Sequence, residues 1–123
     1  MVVGEFLRGA AADRDPWNCS TMAADWCVML GHPDFAEEWR EVTDPEECTT
    51  IASYGLVDLW DIGIGDSLPV VSEPYRAGDI GVIEVLNLQA GAICVGDKWA
   101  IRNDRGMVFL SGAHLAVIKA WRP

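Results

Sequence analysis

The sequence predicts an α+β domain, helical in its first part and an antiparallel sheet in its second. Two observations carry this. Over residues 1–75 apolar residues recur at helical spacing between capping and proline signals, whereas over 76–123 they fall into short runs separated by glycine-containing turns. The two kinds of segment also come in blocks rather than in alternation, which favours α+β over a βαβ arrangement. A length of 123 residues makes a single domain over 1–123 the natural expectation.

The elements follow in order. Gly4 to Ala12 reads as a short helix with Phe6, Leu7 and Ala10 on one face, and Asp13-Arg14-Asp15-Pro16 as a loop. The next helix has Asn18 as N-cap, Met22, Ala23, Trp26, Cys27 and Leu30 at helical spacing, Gly31 just past its end and Pro33 blocking continuation. A helical turn is expected around Phe35 to Trp39. Thr43-Asp44-Pro45-Glu46-Glu47 then combines a cap, a first-turn proline and acids at the positive end of the helix dipole. That helix is expected to run to about Tyr54 and to stop at Gly55. The stretch from Leu56 to Leu68, with Gly63 and Gly65, reads as a turn-rich connection, and Pro69 to Pro74 as extended chain. Strands are predicted over Ile80–Val85, Ala92–Val95, Lys98–Ile101, Met107–Leu110 and Leu115–Trp121, with turns at Gly96-Asp97 and Asn103–Gly106.

Composition excludes several classes of function. Nineteen acidic against nine basic residues give a formal charge of −10. Without a compensating basic run, such a chain repels phosphate backbones and anionic headgroups, so neither nucleic acid nor a membrane surface is an expected partner. No apolar run approaches the roughly 20 residues of a membrane span. Met1 to Glu5 lacks a basic region followed by an apolar stretch, so no signal peptide is read and a reducing cytosol is expected. Cys19, Cys27, Cys48 and Cys94 are scattered without a CxxC pair. Free thiols are therefore expected, with no metal, iron–sulfur or other cofactor and no disulfide framework. Asp58, Asp61 and Asp66 near Gly63 and Gly65 do not have EF-hand spacing and read as a solvated loop. The six tryptophans read individually as core, with room for one or two at a protein interface.

Cys19 has the most chemical content. It follows the N-cap Asn18 and so sits in the first helical turn, where free amides and the dipole favour a thiolate. Cys27, eight residues on, lies on nearly the same helix face and reads as core, as do Cys48 and Cys94.

The stretch Pro16-Trp17-Asn18-Cys19-Ser20-Thr21-Met22-Ala23-Ala24-Asp25-Trp26 resembles the W-G-x-x-D-C-x-x-F-A-A-D-W pattern of small phage and prophage tail proteins related to NlpC-type, papain-like cysteine peptidases. Gly31-His32-Pro33-Asp34 resembles the helix ending of that family. Arg76-Ala77-Gly78-Asp79-Ile80 resembles its G-D-[IV] entry into the first core strand, Gly91 to Asp97 its V-G-I-Y-L-G-D strand, and Ala120-Trp121-Arg122 its ending. The resemblance implies a papain-like NlpC-type fold with N-terminal helices packed on a C-terminal antiparallel half-barrel.

The resemblance also implies a catalytic histidine at the start of the second core strand. On this sequence that position is Ala90, with Gln89 beside it, and neither accepts a proton near neutral pH. Of the two histidines, His32 lies 13 residues after Cys19, roughly 20 Å along a continuous helix. It reads as a helix C-terminal residue; His114 precedes the last strand as a loop or strand-end residue. A helix-start thiolate without an acid to protonate an amine leaving group is a poor amidase. Cys19 is thus the candidate nucleophile and reads as vestigial. The expected function is a structural or assembly component of a phage tail tip or baseplate, made in the host cytoplasm and carried in the virion. Its expected partners are other tail proteins, the hub or the fibre-bearing protein. Two alternatives stand beside it. One is an active peptidase cutting peptidoglycan stem peptides during entry, with His114 or a partner's residue as base. The other is a tail assembly chaperone.

Overall fold

The computed structural model describes residues 3–10, 18–40, 45–103 and 106–123; the side chains of residues 10, 18, 19, 45, 47–54 and 103 are not described. The predicted loop at Asp13–Pro16, the Thr43-Asp44 start signal and the centre of the Asn103–Gly106 turn lie outside these residues. Three helices, α1 (Val3–Ala10), α2 (Asn18–Met29) and α3 (Pro45–Ile64), precede a sheet of β1 (Val70–Val71), β2 (Ile80–Val85), β3 (Leu88–Cys94), β4 (Lys98–Asn103), β5 (Gly106–Ser111) and β6 (Ala116–Trp121). A 3-10 turn, Gly112–His114, joins β5 to β6. The fold is α+β with an open antiparallel sheet in the order β1-β6-β2-β3-β4-β5.

The main departure from expectation is α3. Gly55 was expected to end it, but Gly55 (φ −150°, ψ 21°) only kinks a helix that continues to Ile64. The reason is packing. Leu56, Trp60 and Ile64 recur every fourth residue and are all buried, so the second half of α3 has an apolar stripe to hide. Gly63 is not a turn signal either. A β-carbon there would collide with the Phe35 carbonyl, so glycine lets α3 lie directly on the 35–40 turn. The helix stops at Gly65, whose φ of +53° is left-handed.

The connection after β5 shows how strongly the sheet is coiled. Ser111 pairs with Lys98 at one end of the sheet, while Ala116 pairs with Glu84 at the other. In a flat sheet these ends would lie roughly 30 Å apart, from strand spacing and rise. The five peptide steps joining them reach at most about 18 Å. The sheet therefore curls so that β5 and the start of β6 approach each other.

Two clusters pack on opposite faces. Ile80, Val82, Ile93, Ala100 and Trp121 join the helices through Met22, Trp26, Phe35, Trp39 and Trp60. Ile83, Ala92, Cys94, Trp99 and Ala120 pack on the other face with Tyr75, Ala90, Ile101 and Leu115. All five described tryptophans, Trp26, Trp39, Trp60, Trp99 and Trp121, are buried. The 35–40 turn is tied to α2 by Arg40, which pairs with Asp34 at 2.8 Å and Asp25 at 2.6 Å.

Candidate functional site

The direction of α2 across the sheet sets the site. Near its C-terminal end, Trp26 donates its indole N–H to the Gly78 carbonyl at 2.9 Å, beside the start of β2. Its first turn lies at the other end of the sheet, where β3 begins and β4 finishes. There Ser20 Oγ accepts the Trp60 indole N–H at 3.1 Å, and Thr21 Oγ1 accepts from Arg102 Nη2 at 3.2 Å. Ser20, Thr21 and Arg102 are all buried, so a guanidinium is enclosed between α2 and β4. Adjacent hydroxyls thus clamp the helix start, one to α3 and one to the sheet. The backbone of Cys19 occupies the second residue of α2, as its sequence position predicts; its side chain is not described.

Strand alternation decides which β3 residue faces α2. Ile93 lies on the helix side, whereas Ala90, Ala92 and Cys94 lie in or against the opposite cluster. Gln89 and Gly91 therefore share the helix face with Ile93, and Ala90 points away. Gln89 is thus the polar side chain that the first part of β3 turns toward the helices. Its side-chain oxygen is buried and has no hydrogen-bond partner among the described residues. An amide at this place supplies a hydrogen bond and no proton transfer.

The two histidines lie at different ends of the sheet, His114 two residues before Ala116, which pairs with Glu84. His32 follows the end of α2, where its backbone N–H caps the Cys27 carbonyl at 2.9 Å. His114 is exposed in the 3-10 turn, and the next residue, Leu115, packs on the face opposite the helices.

The described thiols are inert by environment. Burial, and then the charge of Asp34, push the Cys27 thiol up to about 12, and burial raises that of Cys94. Asp61, one of the three carboxylates between Leu56 and Leu68, is held by Lys119 at 2.6 Å. Among the described residues no three His, Cys, Asp or Glu side chains gather as a metal site, and no helix is long and apolar enough to cross a membrane.

A family model described as "Domain of unknown function (DUF6950)" matches residues 5–123. The chain belongs to that family. Searches of curated proteins and of solved structures return no match. Within this DUF6950 domain, the cysteine-bearing helix start is fastened to α3 through Ser20 and to β4 through Thr21. Sequence reasoning missed Arg102 and the Ser20–Trp60 clamp, since a lone arginine in a strand and a serine in a helix carry no distinguishing local signal. The choice of Gln89 over Ala90 was readable only in part: period-2 alternation gives two faces, but not which one the helix covers.

Proposed function

We propose that this DUF6950 domain is a structural or assembly component of a phage tail tip or baseplate, built on a papain-like NlpC-type fold that serves as an interaction module. The observation that carries the reading is Gln89, an amide rather than an imidazole, on the helix-facing side of β3, with Ala90 on the other side and His32 past the far end of α2. An amide at residue 89 cannot take up or deliver the proton that hydrolysis of a peptide bond requires, which favours a structural over a hydrolytic role. Further support comes from the resemblance of the motifs around Cys19, Asp79, Gly91 and Trp121 to those of small tail proteins. The partners under this reading are other tail proteins, the hub or the fibre-bearing protein.

The rival peptidase reading draws on one observation, the place of Cys19 in the first turn of α2. It requires a base from His114 or from a partner. Purified protein incubated with peptidoglycan separates the two: no cleavage that depends on Cys19 is expected. Release of stem-peptide fragments that stops with Cys19→Ala would overturn the structural reading. Mass spectrometry of purified particles then distinguishes a tail component, which is present, from an assembly chaperone, which is absent.

A further inference from the structure

Val85 pairs with Leu88 across a two-residue turn in which Leu86 (φ +52°) and Asn87 (φ +67°) both have left-handed backbones. This is a type I′ hairpin turn, whose central positions suit Asn, Asp and Gly. Asn87 fits; Leu86 does not, because its β-carbon crowds the following carbonyl. Leu86 is also 90% exposed and Leu88 59% exposed. The fold gains nothing from a leucine there. A strained, fully projecting apolar side chain at a hairpin tip is suited to entering a pocket on another molecule.

A matching pocket exists on the same chain. Gly4, Leu7 and Arg8 of α1, with Val95, Met107 and Phe109, line an apolar groove of about 400 Å³ between α1 and the outer strand β5. Phe109 is half exposed in it, and the Gly4 side is open, with nothing near where a β-carbon would stand. The hairpin tip cannot reach this groove within one molecule. Val95 lies seven residues along from Leu88, about 23 Å at strand rise, toward the opposite end of the sheet.

The flanking charges are complementary. Glu84 is exposed two residues before Leu86, and Arg8 is exposed on the groove. Neither takes part in an ion pair among the described residues. In a chain with nine basic residues against nineteen acidic, an arginine beside the groove and a glutamate beside the hairpin tip, neither in an ion pair among the described residues, favour each other over solvent.

We propose that copies of this chain associate head to tail, the Leu86 hairpin tip of one entering the α1/β5 groove of the next, with Glu84 meeting Arg8. The two surfaces differ, so the contact is heterologous and generates a ring or a filament rather than a two-fold dimer. The formal charge of −10 on each copy opposes assembly, and salt screens that repulsion more than it weakens apolar contact. This association stands independently of the tail reading.

Sedimentation velocity over a concentration series at raised salt tests it. Mass should grow with concentration for the unaltered chain, and Leu86→Gly should weaken association about tenfold or more without lowering the melting temperature. Arg8→Glu and Glu84→Arg should each weaken it, and the doubly substituted chain should recover. The decisive arm mixes Leu86→Gly, which keeps only the groove, with Phe109→Asp, which keeps only the knob. The mixture should form a one-to-one complex and nothing larger, with circular dichroism confirming that both variants fold. A chain that stays monomeric at every concentration overturns the proposal. So does a Leu86→Gly chain that still associates as the unaltered one, which would move the contact to the free edge of β5.

Discussion

The two ends of α2 meet the sheet in opposite ways. At the C-terminal end the described polar groups around Gly78 and Asp79 are matched. Asp79 is buried and accepts two hydrogen bonds from Arg122, at 2.8 and 2.9 Å, and one from the Arg76 amide at 2.8 Å. The Gly78 carbonyl takes the Trp26 indole, and the backbones of Gly78 and Asp79 exchange hydrogen bonds with Cys94. At the N-terminal end the hydroxyls of Ser20 and Thr21 are engaged, but the Gln89 side-chain oxygen is enclosed with no described partner. The difference separates what the chain's motifs do. The segment Arg76 to Ile80 and the terminal Trp121-Arg122 meet in an ion pair between buried Asp79 and partly exposed Arg122, so both are fasteners of the fold.

This contrast can be broken from the matched end first. Asp79→Ala should cost about 2 kcal/mol of stability, because it leaves the Arg76 amide without its acceptor and empties a buried position; chemical denaturation measures it. The titration of the same group follows. Burial alone would raise the Asp79 carboxyl, but the hydrogen bonds from Arg122 and the Arg76 amide outweigh it and hold the group below the usual carboxylate range. Its stabilisation is therefore complete above the unfolded value of about 4 and disappears as pH falls through the lower folded value. Acid unfolding monitored by tryptophan fluorescence should begin below about pH 4 and shift upward when Asp79 is replaced.

Alkali acts on α2 itself. Cys27 titrates near 9 when unfolded and at about 12 in place, so the thiol stabilises the fold fully below 9 and that contribution is lost progressively between 9 and 12. Stability should fall by up to about 1.4 kcal/mol per pH unit across that window, and Cys27→Ala should flatten the slope. Thiol reagents at neutral pH should leave Cys27 and Cys94 unmodified in the folded protein.

The smallest effects sharpen the other end. Ser20→Ala should cost about 1 kcal/mol, leaving the Trp60 indole N–H without an acceptor. Gln89→Leu should be neutral or stabilising by up to about 1 kcal/mol, since it removes a buried unmatched oxygen and keeps the bulk. A clear loss of stability from Gln89→Leu would mean that the amide has a structural partner, and the contrast between the ends would disappear.

Much of this was legible from local pattern. The α2 helix, the β2 strand with its bounds, and the order of blocks follow from apolar periodicity and punctuation, which act over a few residues. The length of α3 did not, because Gly55 and Gly63 carry the same local signal as a turn. Only the Phe35 backbone beside Gly63 and the burial of Leu56, Trp60 and Ile64 give those glycines their meaning. Likewise β3 extends back to Leu88 because β2 pairs with it through a turn, Leu86-Asn87, whose first residue disguises it.

The sequence by itself determined the helices-then-sheet architecture, a cysteine at a helix start, and the shortage of histidines. These are matters of composition, spacing and chain order. The tertiary structure decided that Gln89 rather than Ala90 faces that helix, that Arg102 is enclosed beside Thr21, and that the Asp79 and Arg122 motifs close on each other. Each of these depends on which sheet face α2 covers and in which direction it runs. That choice is made by burying Trp26, Trp60 and Trp121 together, and residues dozens of positions apart take part in it.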